Sequence, residues 1–137
     1  MRMPKQIDAN LLAPCGVNCL ACSAYLRAHD ACPGCRATEE LQKRKSCQNC
    51  AKKRCLDKTG LHWCFECERF PCTAINSQSK RYREKYGIDL VENSRRAARD
   101  LPAFLRAERN RFTCLLCGGV IDQHNRCCSE CEAPAQR

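Results

Sequence analysis

Apolar residues follow different patterns in different parts of the chain. From Leu11 to Cys72 they are sparse, and cysteine takes many positions that an aliphatic side chain would otherwise fill. This stretch predicts short knuckles with little room for regular structure. Between Cys72 and Tyr86, the residues Ile75, Tyr82 and Tyr86 fall near one face of a 3.6-residue repeat, and Gly87 supplies a natural stop, which predicts a helix. Asp89 followed by Glu92 has the spacing of a capping box. The stripe of Leu90, Val91, Ala97, Ala98 and Leu101 behind it predicts a second helix, with Glu92, Arg95, Arg96 and Arg99 on the wet side. Asp100 and Pro102 close that helix and open a third, running through Phe104, Leu105 and Glu108 to Phe112. Val120-Ile121 then predicts a short rising strand, and the residues from Glu132 onward read as frayed.

Composition changes what these elements can rest on. Leu, Ile, Val and Phe together supply 23 of 137 residues, 17% of the chain, which is thin for a self-sufficient apolar core. Such a chain folds with the help of cross-links or metals, and 16 cysteines are at hand. The opening MRMPKQIDAN has no apolar signal core, and no run approaches the roughly 18 apolar residues of a membrane span. The expectation is a cytoplasmic protein with no membrane partner, whose thiols stay reduced and serve as metal ligands.

Spacing carries the chemistry. Six C-x-x-C pairs occur, and a tight turn in each brings two sulfurs to one point with backbone N–H groups beside them. Nesting consecutive pairs gives three four-cysteine sites: Cys19, Cys22, Cys32 and Cys35; then Cys47, Cys50, Cys64 and Cys67; then Cys114, Cys117, Cys128 and Cys131. The last stands apart from the other cysteines and reads as a zinc ribbon, two knuckles joined by a short hairpin. Cys15, Cys55 and Cys72 are left over, with His62 near them in sequence. They form a further site, or else Cys32 and Cys35 join Cys47 and Cys50, leaving Cys55, Cys64, Cys67 and Cys72 as a set. Cys127 is an alternative to Cys128, and His124 is a further candidate ligand.

The motifs also carry a resemblance. Ala13-Pro14-Cys15-Gly16-Val17-Asn18-Cys19-Leu20-Ala21-Cys22 is followed by Cys32-Pro33-Gly34-Cys35-Arg36 and by Trp63-Cys64-Phe65-Glu66-Cys67-Glu68-Arg69-Phe70-Pro71-Cys72. Lys80-Arg81-Tyr82, Tyr86-Gly87 and the terminal Cys114-x-x-Cys117-Gly118-Gly119 with His124 and a closing Cys128-x-x-Cys131 complete the set. Over roughly residues 12 to 131 this resembles a prokaryotic family of small cysteine-rich, zinc-ribbon-like domains of unknown function. The resemblance implies a metal-dependent fold and no particular activity. Asp100-Leu101-Pro102 departs from the glycine-containing break expected between the helices.

The formal charge of +9 treats every thiol as neutral. Each zinc held by four thiolates carries a net charge of about −2, so three sites bring the protein to about +3. Lys43, Arg44, Lys45, Lys52, Lys53 and Arg54 flank the Cys47/Cys50 knuckle and serve either to screen thiolates or to grip phosphates. None of the histidines opens an H-x-E or H-E-x-x-H motif, and no G-x-S-x-G occurs, so no catalytic residue is assigned. The reading is a small metal-stabilised α+β protein: a cysteine-rich region over 11–72, a helical segment over 73–112 packing on it, and a ribbon over 113–131. It expects three or four zinc ions and a role as a binding or adaptor module for a protein or nucleic acid. The alternative is an iron–sulfur or thiol-based redox or metal-handling protein, with a cluster in the N-terminal half.

Overall fold

The computed structural model describes residues 1–136. Helices α1 (Lys45–Gln48), α2 (Ala51–Thr59), α3 (Thr73–Tyr86), α4 (Leu90–Arg99) and α5 (Leu101–Phe112) precede a hairpin of β1 (Ile121–Asp122) and β2 (Cys127–Cys128). The overall class is small α+β. Among the described residues no helix is long and apolar enough to cross a membrane.

The helices end where their local chemistry dictates. Gly87 takes a left-handed conformation after α3, and its N–H closes the last turn on Arg83 and Tyr82. The Asp89 carboxylate accepts from Glu92 N–H at 3.0 Å, opening α4. Asp100 does the same for Ala103 N–H at 3.0 Å, and Pro102 sits in the first turn of α5. The Asp100-Leu101-Pro102 break therefore works without glycine, since Asp100 is extended and ends one helix as it caps the next.

Two stretches are more ordered than the sequence pattern suggests. In the cysteine-dense half, α2 fits between Cys50 and Cys64, burying only Leu56. With so few apolar positions it leaves no helical stripe to read. At the other end, residues 133–135 are not frayed. Ala133 accepts from Cys128 N–H and Ala135 N–H donates to Arg126, both at 2.8 Å, laying the tail against β2.

One apolar cluster unites the chain. It takes Val17 and Leu20 from the first segment, Leu56 from α2, Ile75 from α3, Leu90 and Val91 from α4, and Val120 and Ile121 from the hairpin. Residues 12–21 are buried without interruption, so this cysteine-containing segment forms the centre of the molecule. A smaller cluster of Leu12, Ala97 and Phe104 lies under Trp63 and Phe65. The N-terminus joins the C-terminal hairpin region as well: Met3 N–H donates to Gly118 at 3.0 Å, and Val120 N–H donates to Met1 at 2.9 Å.

Candidate metal centre

Four thiols, those of Cys114, Cys117, Cys128 and Cys131, lie within 4.8 Å of one another, and among the described residues no other group of three or more metal-ligating side chains does so. The first two flank the turn that follows α5; Cys128 ends β2 and Cys131 lies just beyond it. The Sγ atoms of Cys114 and Cys131 are 3.8 Å apart, and those of Cys117 and Cys128 are 3.5 Å apart. These separations are far too long for a disulfide, whose sulfurs sit at about 2.05 Å. A tetrahedron with metal–sulfur bonds of about 2.3 Å has edges of about 3.8 Å, which the cluster matches.

The surrounding backbone fits the same purpose. Gly119 N–H points at Cys117 Sγ and Glu130 N–H at Cys128 Sγ, both at 3.4 Å, so each knuckle offers a donor to a thiolate. The N–H groups of Cys117 and Leu116 draw the Cys114 thiol down to about 7, while Cys117, despite the Gly119 N–H, is held up by burial and by its contacts with the other three sulfurs, so Cys114 is the thiol that ionises first. Gly119 is needed for space: a Cβ there would lie 2.7 Å from Cys128 Sγ. Successive residues of a strand face opposite sides, so Cys128 joins the cluster while Cys127 turns away. His124 is also committed elsewhere. Its Nδ1 accepts from Ser23 N–H at 3.2 Å, which places the ring proton on Nε2, 3.3 Å from the Tyr82 hydroxyl.

The remaining cysteines line two neighbouring cavities. A cleft of about 870 Å³ is lined by Cys15, Cys19 and Cys22 from the first segment, by Cys32 and Cys35, and by Cys47 and Cys50. Within it, Cys35 N–H lies 3.5 Å from Cys19 Sγ. A smaller cavity of about 140 Å³ is lined by Cys55, Cys64, Cys67 and Cys72. Cys47/Cys50 and Cys64/Cys67, nested together on spacing, thus line different cavities. The cause is α2, which begins directly after Cys50 and carries the chain about 13 Å before it turns back. His62 is exposed and lies edge-on to Trp63.

Burial raises the thiols of Cys15, Cys22 and Cys64. It pushes Cys15 up to about 11, with the Cys35 sulfur adding to the rise, and Cys64 up to about 12, with Cys15 and then Cys72 adding. Cys35 is raised chiefly through its contact with Cys19, and Cys22 chiefly by burial. A bound metal cation reverses such shifts, because it stabilises the thiolate directly. The cleft is also strongly cationic. Lys43, Arg44, Lys52 and Lys53 line it together with Arg81 and Lys85 of α3, so four of the six basic residues flanking the Cys47/Cys50 knuckle face it. Trp63 is not a free stacking platform: it is stacked on Phe65 at 5.4 Å and carries the Arg36 guanidinium 4.1 Å from its ring centre.

A family described as a protein of unknown function (DUF3795) matches residues 11–77. The match spans the cysteine-dense segment and the start of α3, a shorter stretch than the resemblance read over residues 12 to 131, and leaves α4, α5 and the ribbon outside. No curated protein and no solved structure matches the chain.

Proposed function

We propose that this protein is a zinc-dependent binding module. In it the C-terminal ribbon holds a structural zinc ion, and the cationic, cysteine-lined cleft receives a polyanionic partner, a nucleic acid. The observation that carries the reading is the convergence of four thiols at the separations of a zinc tetrahedron, each knuckle with its own N–H donor to sulfur. A site closed by four thiolates leaves no coordination position for a substrate, so its role is to hold the fold. The ribbon is tied to the rest of the molecule by Gln123 N–H donating to Ala21 at 2.9 Å and by the Met1–Met3 segment. Zinc binding therefore helps to hold the wall on which the cleft is built.

The cleft supplies the binding surface. Basic side chains meeting across one concavity focus a positive potential, which attracts phosphates and depends steeply on salt. The test is retention of a short single-stranded oligonucleotide by the zinc-loaded protein between low and high salt. Binding that weakens steeply with salt, and is lost on replacing Lys52 and Lys53 with Glu, supports the module. Salt-insensitive or absent binding removes the nucleic-acid partner.

A second reading is favoured by the number of sulfurs. Seven cysteines line the cleft, more than one closed four-thiolate site uses. This suits a redox or metal-handling role, with an iron–sulfur cluster or an exchangeable metal in the N-terminal half. Anaerobic isolation separates the two: stoichiometric iron and sulfide in a coloured protein support the second reading, and a colourless protein containing only zinc supports the first.

A further inference from the structure

The smaller cavity is built from segments distant in the chain. Cys55 projects from α2. Cys64 opens a short 3-10 turn, and Cys67 closes it with its N–H on the Cys64 carbonyl at 3.1 Å. Cys72 caps the N-terminus of α3. The chain thus brings a C-x-x-C knuckle and two single thiols, each from a different element, around one cavity of about 140 Å³. Its other walls include Leu56, Leu61, Phe70 and Ile75.

An apolar cavity has little need of four cysteines, because alanine, valine or leucine would fill it without a reactive group. The other polar lining groups are Thr59 and Lys52. The Thr59 hydroxyl is engaged with the carbonyls of Cys55 at 3.0 Å and Leu56 at 3.3 Å, leaving sulfur as the ligating chemistry. Lys52 supplies one cation where four thiolates would place four negative charges, so a multiply charged cation at the centre is the electrostatic complement. These sulfurs are set wider than those of the ribbon, since no three of them fall within 4.8 Å of one another. Such spacing leaves room for a polynuclear centre, or for a single ion drawn in by a short movement of the knuckle.

We propose that Cys55, Cys64, Cys67 and Cys72 form a second metal centre, a four-thiolate site for a soft metal, separate from the C-terminal four-cysteine cluster and lined on its apolar side by Leu56, Phe70 and Ile75. Zinc and an iron–sulfur cluster share the thiolate chemistry that this site offers. The assignment extends the reading of the chain as a metal–thiolate protein but does not depend on the ribbon or on the nucleic-acid partner.

The test uses the full chain, loaded in one arm with zinc alone and in the other, anaerobically, with iron and sulfide. Metal per chain is compared for the wild type, Cys67→Ser, Cys55→Ser and Cys114→Ser. Cys55 is exposed on α2, so its serine variant keeps the fold and guards against a loss of metal through unfolding. In the zinc arm, Cys67→Ser and Cys55→Ser each hold one ion fewer than the wild type while Cys114→Ser loses a different one, so Cys67→Ser combined with Cys114→Ser loses two. If the occupant is a cluster, the iron arm alone shows the difference, as lost iron and lost sulfide-to-iron absorption in the Cys55 and Cys67 variants. Wild-type metal content in both variants and both arms overturns the site. Loss in Cys67→Ser alone, with Cys55→Ser unchanged, overturns the four-ligand assignment. Failure of Cys114→Ser to lose metal counts against the ribbon and leaves this centre standing.

Discussion

Asn18 donates from Nδ2 to Glu108 Oε2 at 3.0 Å, joining the buried segment at the centre of the molecule to α5 across ninety residues of chain. The Asn18 Oδ1 atom accepts from Leu20 N–H at 3.1 Å, so one side chain both caps the turn carrying Cys19 and anchors it to a helix. Glu108 is 2% exposed, and among the described residues its only ion-pair partner is Arg111 at 3.9 Å. Removing the amide leaves a buried carboxylate short of a donor. Asn18→Ala is expected to cost about 2 kcal/mol of stability, measured by denaturant unfolding of the metal-loaded protein.

The same pair gives a pH signature. Burial holds the Glu108 carboxyl above its ordinary range, outweighing the Asn18 hydrogen bond and the Arg111 charge, which pull the other way. The folded state therefore keeps the proton more readily than the unfolded chain. Its favourable contribution is full below the unfolded carboxyl value of about 4.3 and is lost as pH rises through the folded value. Glu108→Gln keeps an acceptor for Asn18 and does not ionise. The stability of Glu108→Gln minus that of the wild type, taken at matched pH and metal, is expected to grow from pH 4 toward pH 7. A flat difference would show that the carboxyl is not perturbed.

His124 carries the opposite sign. Burial lowers its value, with Asp122 opposing and Arg44 assisting. The native state favours the neutral ring whose Nδ1 accepts from Ser23, so this contribution is present above the unfolded value of about 6.5 and is lost as pH falls. Nitrogen NMR is expected to show the Nε2-protonated tautomer at pH 8 and protonation only below about 6.5. A ring already charged at pH 7 would contradict the Ser23 N–H contact, because a protonated Nδ1 cannot accept it.

Gly16 shows why the Cys15-Gly16 turn accepts no side chain. Its φ is +97°, and a Cβ there would sit 2.7 Å from Ser94 Oγ and 2.8 Å from the Leu90 carbonyl oxygen, backbone that cannot rotate aside. The same turn takes an Asn93 hydrogen bond at the Gly16 carbonyl, 3.3 Å, so the clash lies at the docking point of α4. Left-handed strain and overpacking together give an expected loss of about 3 kcal/mol for Gly16→Ala. Gly87→Ala, at φ +67° with open space around it, is expected to cost about 1 kcal/mol. Equal midpoint shifts for the two in parallel melts would rule out the steric account.

What the sequence made legible follows from how local each signal is. The start of α4 and the α4–α5 junction were readable because Asp89, Asp100 and Pro102 act within one turn of chain, and the convergence of Cys114, Cys117, Cys128 and Cys131 because each pair lies in one tight turn. The docking of the N-terminus on the hairpin region was hidden, since Met1–Met3 pair with residues more than a hundred positions away and carry no pattern of their own. The distribution of the N-terminal cysteines was hidden for another reason. It depends on α2, whose run Ala51–Thr59 is charged and buries one residue, so nothing in the spacing of Cys50 and Cys64 reveals the helix that sends them to different cavities. His124, a further candidate ligand on sequence, has its two ring nitrogens near Ser23 and Tyr82, both remote in sequence, so no local pattern reveals those contacts.

The ribbon gives two variants of graded effect. Gly119→Ala adds a methyl group 2.7 Å from Cys128 Sγ and 2.8 Å from Glu130 Cγ, at the residue whose N–H faces Cys117 Sγ. The Glu130 side chain is flexible enough to move, but the sulfur is held among three others, so in the proposed metal-bound state the strain would fall on the site. Changes in the groups supporting a metal's ligands typically reduce affinity about 10- to 100-fold, which is the loss expected for Gly119→Ala in competition with a chromophoric chelator. Cys114→Ser removes a ligand outright and is expected to lose one metal ion per chain, open the β1–β2 hairpin and release Met1–Met3, detected as rapid amide exchange at Met3 and Val120. Exchange should stay slow at Leu90 and Phe104, whose protection comes from helix packing. Full metal content in Cys114→Ser, or an affinity unchanged in Gly119→Ala, would mean that this cluster does not hold the metal.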